Sequence, residues 1–217
     1  EYAVYDLEVR ARTLYWKAEA FYRLGEYERA GNLFEEFINL PGSRNMNEYW
    51  MAYYGKGYAD FHQKNYAASL NWFSRYEKNA GTEGSKLMAD VYNRMADGYF
   101  IQTQYSEAME YYQKAIEAGK SDVDYAMFQK GFTSGLMKDQ MAKVQILTRL
   151  LERFPESNYY DDALFERGRA RVILNQTREA AKDFRQIIAE SENSSYRPRA
   201  IVQLGLVLYN SNDISEA

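Results

Sequence analysis

Apolar residues recur along the chain at intervals of three and four, the spacing that brings side chains onto one face of an α-helix. A small residue also recurs every 35 to 39 positions, at Ala18, Gly57, Ala96, Gly131, Gly168 and Gly205. Bulky apolar residues follow sixteen positions after it, at Phe34, Phe73, Tyr112, Leu147 and Phe184. No segment shows sustained alternation of period two, so the pattern predicts an all-α repeat array.

Each unit predicts two antiparallel helices joined by a tight turn. The expected pairs are 8–23 with 27–39, 47–63 with 66–79, 86–102 with 105–118, 123–137 with 140–153, and 159–174 with 177–190, followed by 199–210 and an incomplete partner. Pro41 and Pro155 follow second helices, where a missing N–H is tolerated. None of the three prolines falls inside a predicted helix.

The domain prediction is a single α-α superhelix over residues 1–217, with about five and a half helix-turn-helix repeats. Their expected bounds are about 8–45, 46–84, 85–121, 122–157, 158–195 and an incomplete 196–217. The predicted helix 199–210 is apolar nearly all round, whereas an end repeat normally has a polar face. We therefore expect the chain to be a fragment of a longer protein.

Two units carry a recognisable residue pattern. Repeat one shows Ala18, Phe21, Leu24-Gly25-Glu26-Tyr27, Ala30, Phe34 and Pro41, and repeat three shows Ala96, Tyr99, Tyr105-Ser106-Glu107-Ala108, Tyr112 and Ala115. This pattern resembles the tetratricopeptide repeat. Repeat four departs most, since Gln140 and Lys143 replace the usual aromatic and alanine. The resemblance implies a solenoid that binds a protein or peptide partner.

The units are longer than the family's common period of about 34 residues. They also contain the segment Arg153-Phe154-Pro155-Glu156-Ser157-Asn158, followed by Tyr160-Asp161-Asp162-Ala163-Leu164. Both features resemble repeats of bacterial cell-envelope proteins, namely the outer-membrane barrel-assembly lipoprotein and the periplasmic partner of the Tol–Pal system. The resemblance implies a periplasmic or cell-envelope location.

The composition excludes several kinds of site. There is no cysteine and one histidine, His62, which excludes disulfides, thiol nucleophiles and Cys/His metal sites. We therefore expect no cofactor, no metal and no enzymatic activity. The formal net charge of −4 favours no nucleic-acid partner. No apolar run approaches the roughly 18 to 20 residues that span a bilayer, so we expect no direct membrane insertion.

The resemblance implies that the first helices line a concave groove. Position relative to the small residue selects the candidate partner-binding side chains Tyr15, Tyr22, Tyr54, Tyr58, Phe61, Asn93, Phe100, Phe128, Phe132, Phe165 and Arg169, and Arg94 lies beside them. Aromatic rings give a large contact area with few rotors to freeze, which suits recognition of a peptide or helix. Only Asn93 and Arg94 resemble the polar set of carboxylate-clamp repeats, so binding of chaperone C-terminal tails is disfavoured.

The sequence leaves several functions open. The leading hypothesis is a non-enzymatic scaffold for protein–protein interaction in cell-envelope assembly. The alternative is a glycan or small-ligand module, because rings beside Asp and Asn stack on sugars. A third hypothesis is self-association through the apolar C-terminal helix. Against all three stands the simpler interpretation that many of the rings only fill space within a tightly wound superhelix.

Overall fold

The computed structural model describes residues 2–81, 86–119, 121–190 and 194–210, with side chains from Leu7 onward. The described residues form α1 (Tyr2–Arg23), α2 (Tyr27–Asn39), α3 (Tyr49–His62), α4 (Tyr66–Asn79), α5 (Met88–Ile101), α6 (Tyr105–Ala118), α7 (Val123–Leu136), α8 (Gln140–Arg153), α9 (Tyr160–Ile173), α10 (Thr177–Glu190) and α11 (Arg197–Asn210). They contain no strand, and the all-α prediction is confirmed.

Helix ends differ from the prediction at a few places. The first helix begins at Tyr2 rather than at residue 8, because no Pro or Gly interrupts the first ten residues. A short 3-10 helix, Ser43–Asn45, was not predicted and follows Gly42, whose φ is +86°. The expected second helix of the sixth unit, from Asp213 onward, lies outside the described residues.

The turn within each pair repeats one backbone geometry. A residue with positive φ lies two positions before every second helix, at Gly25, Lys64, Thr103, Lys138 and Asn175. The amide that follows it donates to a carbonyl five residues back, as from Glu26 to Phe21 at 2.9 Å and from Gln176 to Arg171 at 2.8 Å. These bonds satisfy carbonyls that the end of the first helix would otherwise leave unpaired.

Packing follows the predicted register. The bulky position is at most 1% exposed in all five units, at Phe34, Phe73, Tyr112, Leu147 and Phe184. A Cβ built on Gly57, Gly131 or Gly168 would come within 2.7–2.8 Å of Phe73, Leu147 or Phe184 respectively. At these positions the small residue therefore permits the close approach of the two helices in a unit. Gly205 is different, because a Cβ there would meet no atom of the described residues within 4 Å.

The chain divides into two compact units, residues 1–111 and 112–217, and the division falls inside α6. Each unit has a hydrophobic core of its own: the first is rich in aromatic rings, such as Phe34, Phe37 and Tyr76, whereas the second is rich in leucine and isoleucine. In the described part of the chain, no helix has both the length and the hydrophobicity needed to cross a membrane.

Candidate partner-binding surfaces

In the first unit, two tyrosines of α3 meet one carboxylate of α5. Tyr54 and Tyr58 lie one helical turn apart, and both hydroxyls donate to Oδ2 of Asp90, at 2.7 and 2.5 Å. Their ring centroids are 4.8 Å apart. The three side chains therefore join two helices and leave both rings half-buried at the surface of the first helices.

Burial raises the pKa of the Tyr54 and Tyr58 hydroxyls well above the ordinary value, and the nearby charge of Asp90 raises both further. Burial likewise raises the pKa of Tyr22 to about 12. At neutral pH these hydroxyls are therefore protonated, and those of Tyr54 and Tyr58 act as hydrogen-bond donors.

His62 belongs to the same cluster. Its Nε2 lies 3.0 Å from the hydroxyl of Tyr22, and its ring stacks on Tyr27 with centroids 4.3 Å apart. Partial burial lowers the pKa of His62, and the positive charge of Arg94 lowers it further. A lowered pKa favours the neutral imidazole at neutral pH, as one ring of an aromatic cluster.

The remaining candidates of the first unit lie beside this cluster. Phe61 packs edge-on against Tyr66, and the guanidinium of Arg94 lies 5.8 Å from the Phe61 ring. Arg94 also forms an ion pair with Asp97 at 2.8 Å. Phe100 is half-buried against Tyr105. We call Tyr22, Tyr54, Tyr58, Phe61 and Phe100 the aromatic surface.

Three candidates lie in the core instead. Tyr15 is 4% exposed and packs on Phe34 and Phe37, Asn93 is fully buried, and Phe165 is 7% exposed. All three stand three positions before the small residue of their repeat. Only Tyr15 and Phe165 keep a small exposed fraction that a partner could reach.

The register position alone does not decide burial. Tyr54 and Phe128 also stand three positions before the small residue of their repeat, and both are half-buried at the surface.

In the second unit, Phe128 and Phe132 of α7 are half-buried, with centroids 6.3 Å apart. Phe128 also stacks on Tyr159 at 5.5 Å, and Lys143 Nζ lies 5.7 Å from the Phe132 ring. Tyr159 was not among the sequence candidates, because it lies nine positions before Gly168 and outside the register positions that selected them.

Arg169 is exposed and forms an ion pair with Glu166 at 3.0 Å. The neighbouring first helix, α11, carries a further exposed set that the sequence analysis did not name: Arg199, Val202, Leu206 and Tyr209. The sequence could have revealed this set, because the spacing from the small residue that selected the other candidates also selects these four residues when it is counted from Gly205.

Several buried charges are paired within one helix or between neighbouring helices. The Asp183 carboxylate, 1% exposed, accepts from Arg167 at 2.6 Å and from Arg171 at 2.8 Å. Lys56 contacts Asp60 at 3.0 Å, and Lys143 contacts Glu166. Among the described residues, no group of three or more His, Cys, Asp or Glu side chains is arranged to hold a metal ion.

Sequence profiles of the tetratricopeptide repeat match residues 12–43, 89–122 and 125–157. This chain carries tetratricopeptide repeats. Consecutive helices pack in pairs as in other tetratricopeptide solenoids. No curated protein sequence matches the chain significantly.

The fold is shared with solved tetratricopeptide structures of low sequence identity. YrrB, a tetratricopeptide protein with an unusual peptide-binding site, is 18% identical, with a TM-score of 0.66 over 92% of this chain and 90% of its own. The apo form of RapI is 17% identical, with a TM-score of 0.76 over 90% of this chain and 58% of its own. A tetratricopeptide protein from Parabacteroides merdae is 12% identical, with a TM-score of 0.73 over 94% of this chain and 76% of its own.

Proposed function

We propose that the protein is a non-enzymatic scaffold that holds a segment of a partner protein on the surfaces of its first helices. The observation that carries the proposal is the aromatic surface, in which Tyr54 and Tyr58 are held in place by hydrogen bonds to Asp90, and Tyr22 by its contact to His62. Rings fixed in this way lose little conformational freedom when a partner binds. Tetratricopeptide repeats are interaction scaffolds in general, and the peptide-binding site of YrrB belongs to a protein of the same fold.

The experiment compares partner capture by the wild type and by a double variant, Tyr54→Ala with Phe132→Ala, which removes one ring from each unit. We expect the double variant to lose a partner that the wild type retains, because truncating central aromatic contacts typically costs about 2 kcal/mol or more of binding free energy. Helicity measured by circular dichroism should persist.

The matched control is Leu24→Ala with Met141→Ala, which removes one exposed apolar side chain from each unit outside the first-helix surfaces. Leu24 and Met141 are 72% and 53% exposed. Retention should be unaffected in this control. Equal retention by the wild type and the aromatic double variant would contradict the proposal.

The second candidate function is glycan binding, favoured by the position of Asp90 beside two tyrosine rings. Oligosaccharides titrated against the intrinsic Tyr and Trp fluorescence would quench or enhance it if sugars stack on these rings. The scaffold proposal expects no response across glycan classes. Since Asp90 Oδ2 already accepts two tyrosine hydroxyls, its capacity to bind sugar hydroxyls is reduced.

We also propose a cell-envelope location, supported by the length of the repeats and by the segments around Pro155 and Asp161. Separating periplasmic, membrane and cytoplasmic fractions of producing cells, followed by immunodetection, tests this. Recovery in the cytoplasmic fraction alone would contradict it.

A further inference from the structure

A cavity of about 540 Å³ opens between α9 and α11 of the second unit. Its walls are formed by Phe165, Arg169, Pro198, Arg199, Val202 and Gln203. A second cavity of about 340 Å³ shares Gln203 and is lined by Val172 and Leu206 among others. Both cavities lie outside the aromatic surface and among the residues that the sixth repeat places on its first helix.

Among the described residues, the charged side chains that line these cavities are all cationic. Arg169 and Arg199 line the larger cavity, and no Asp or Glu of the described ranges lies in either wall. Glu166, the partner of Arg169, is buried and also contacts Lys143. In the part of the chain that the structure describes, Arg199 forms no ion pair, and its guanidinium lies 5.9 Å from the Tyr196 ring. A cationic lining is notable in a chain whose formal net charge is −4.

The surface between the arginines is apolar and uncovered. Val202 is 60% exposed, Leu206 is 51% exposed and Val172 is 38% exposed. Covering these exposed apolar side chains with a bulky side chain of a partner removes apolar surface from water, which favours binding.

We propose that the arginine face, defined as Arg169, Val172, Arg199, Val202 and Leu206, binds a partner peptide in which carboxylates flank bulky aliphatic residues. The inference rests on the proposed scaffold function and adds the chemistry of the partner. The guanidinium groups form charge-assisted hydrogen bonds with Asp or Glu of the peptide, while its aliphatic side chains enter the cavities.

The same charges argue against a second copy of this chain as the occupant. In a two-fold symmetric contact the same patch meets itself, which would bring Arg169 and Arg199 toward the arginines of the other copy. Such like-charge contacts oppose association.

A phage-displayed library of random 12-residue peptides tests the proposal. We expect the wild type to enrich peptides that combine Asp or Glu with Leu, Ile, Phe or Met. Arg199→Glu should weaken binding of the enriched peptides by about tenfold or more, as measured by fluorescence anisotropy. Their binding to the wild type should also weaken as the salt concentration rises.

The chain offers matched controls in the same unit. Arg178 is exposed on α10 and Met141 is exposed on α8. Arg178→Glu changes the net charge as Arg199→Glu does, and Met141→Ser matches Leu206→Ser in removing an exposed apolar side chain. Only the variants of the arginine face should lose binding.

The outcomes separate the two proposals. If the wild type enriches no peptide at all, the scaffold proposal fails as well. If it enriches peptides without acidic residues, or if Arg199→Glu and Arg178→Glu behave alike, only the inference about the arginine face is overturned. A dimer in light scattering that Leu206→Ser dissociates would also overturn it, because the face would then be an interface between copies.

Discussion

The two units share one repeat geometry but present different surface chemistry. Residues 1–111 contain 15 of the 21 tyrosines, and their 12 Lys and Arg against 16 Asp and Glu account for the whole formal net charge of −4. Residues 112–217 contain 15 residues of each charge and 21 of the 33 Leu, Ile and Val. The first unit therefore offers rings and a carboxylate, whereas the second offers arginines beside aliphatic side chains.

The comparison shows that the packing positions specify the fold while the remaining first-helix positions are free to vary. Phe73 of the first unit and Leu147 of the second occupy equivalent positions and are both fully buried. By contrast, the position just after the small residue is Tyr58 in one repeat and Arg169 in another. A repeat array can in this way present a different partner chemistry in each unit without changing its core.

The largest expected effect is a loss of stability on removing a buried carboxylate, and we expect it to be larger in the second unit than in the first. Asp183→Asn leaves Arg167 and Arg171 without their carboxylate in the interior, so we expect a loss of about 3–5 kcal/mol in the free energy of unfolding. Asp60→Asn should cost less, because Lys56 keeps Glu35 at 3.6 Å. Urea denaturation of both variants measures the difference, and equal losses would contradict the comparison.

A smaller effect is expected at the glycines. Gly168→Ala forces a Cβ to within 2.7 Å of Phe184 and should destabilise the protein by about 1–3 kcal/mol. At the equivalent site of the sixth repeat, a Cβ on Gly205 meets nothing within 4 Å among the described residues, so Gly205→Ala should stabilise its helix by up to about 1 kcal/mol. Thermal and urea melts of the two alanine variants should therefore shift in opposite directions; a shift in the same direction would refute the packing argument.

Alkaline titration distinguishes buried tyrosines, most of which lie in the first unit, from exposed ones. The pKa of Tyr22 and Tyr76 is raised to about 12, mainly by burial and in part by Asp90. A raised pKa in the folded state means that the protonated hydroxyl contributes stability that is fully present below pH 10 and is lost as the pH rises through about 12. Tyrosinate absorbance should therefore show a late group of tyrosines, and helicity should fall as that group ionises.

The variant Asp90→Asn identifies the tyrosines whose pKa depends on the Asp90 charge. Removing the negative charge should lower the pKa of the tyrosines near Asp90, although burial keeps each of them above the ordinary value; they are Tyr22, Tyr54, Tyr58 and Tyr76. Asp162→Asn should instead affect Tyr196 of the second unit, which donates to Asp162 at 2.8 Å and has a pKa raised to about 12. If every tyrosine of the folded protein titrates near pH 10, the buried hydrogen bonds of the first unit are not formed.

The smallest expected effect concerns the turns. Thr103→Gly removes a β-branched residue from a left-handed conformation and should stabilise the protein by roughly 1 kcal/mol. Asn175→Gly should gain less, because asparagine tolerates this conformation. Precise urea midpoints for the two variants measure the difference, with Lys64→Gly as a further comparison. A loss of stability in Thr103→Gly would show that its hydroxyl contact to the Gln102 carbonyl, at 2.7 Å, matters more than the strain.

The sequence predicted the repeat array because packing in a solenoid is local. The interval of 16 residues from Gly131 to Leu147 suffices to place both residues at one helix contact, and the structure confirms it. The candidate surface was harder to predict, because exposure depends on how each helix is rotated. Tyr15 and Asn93 are therefore core residues although they stand on first helices.

Two other features lay beyond the sequence pattern. The residue type is compatible with the shared left-handed turn at Gly25 and Asn175, whereas Lys64, Thr103 and Lys138 do not favour that conformation. The carboxylate of Asp183 between two arginines depends on the relation of α9 to α10, and helical spacing within one segment cannot reveal it. The pattern thus determines the fold more closely than it determines the polar contacts.

The repeated turn also allows whole repeats to be duplicated, deleted or exchanged during evolution. Successive left-handed residues are separated by 39, 39, 35 and 37 positions, and each marks the same point in the backbone path. A segment cut between two such residues begins and ends in one conformation, so duplication or deletion of that segment restores an intact turn at the junction. Recombination at these points can lengthen or shorten the array by whole repeats, and it can exchange one partner-binding chemistry for another while the fold is preserved.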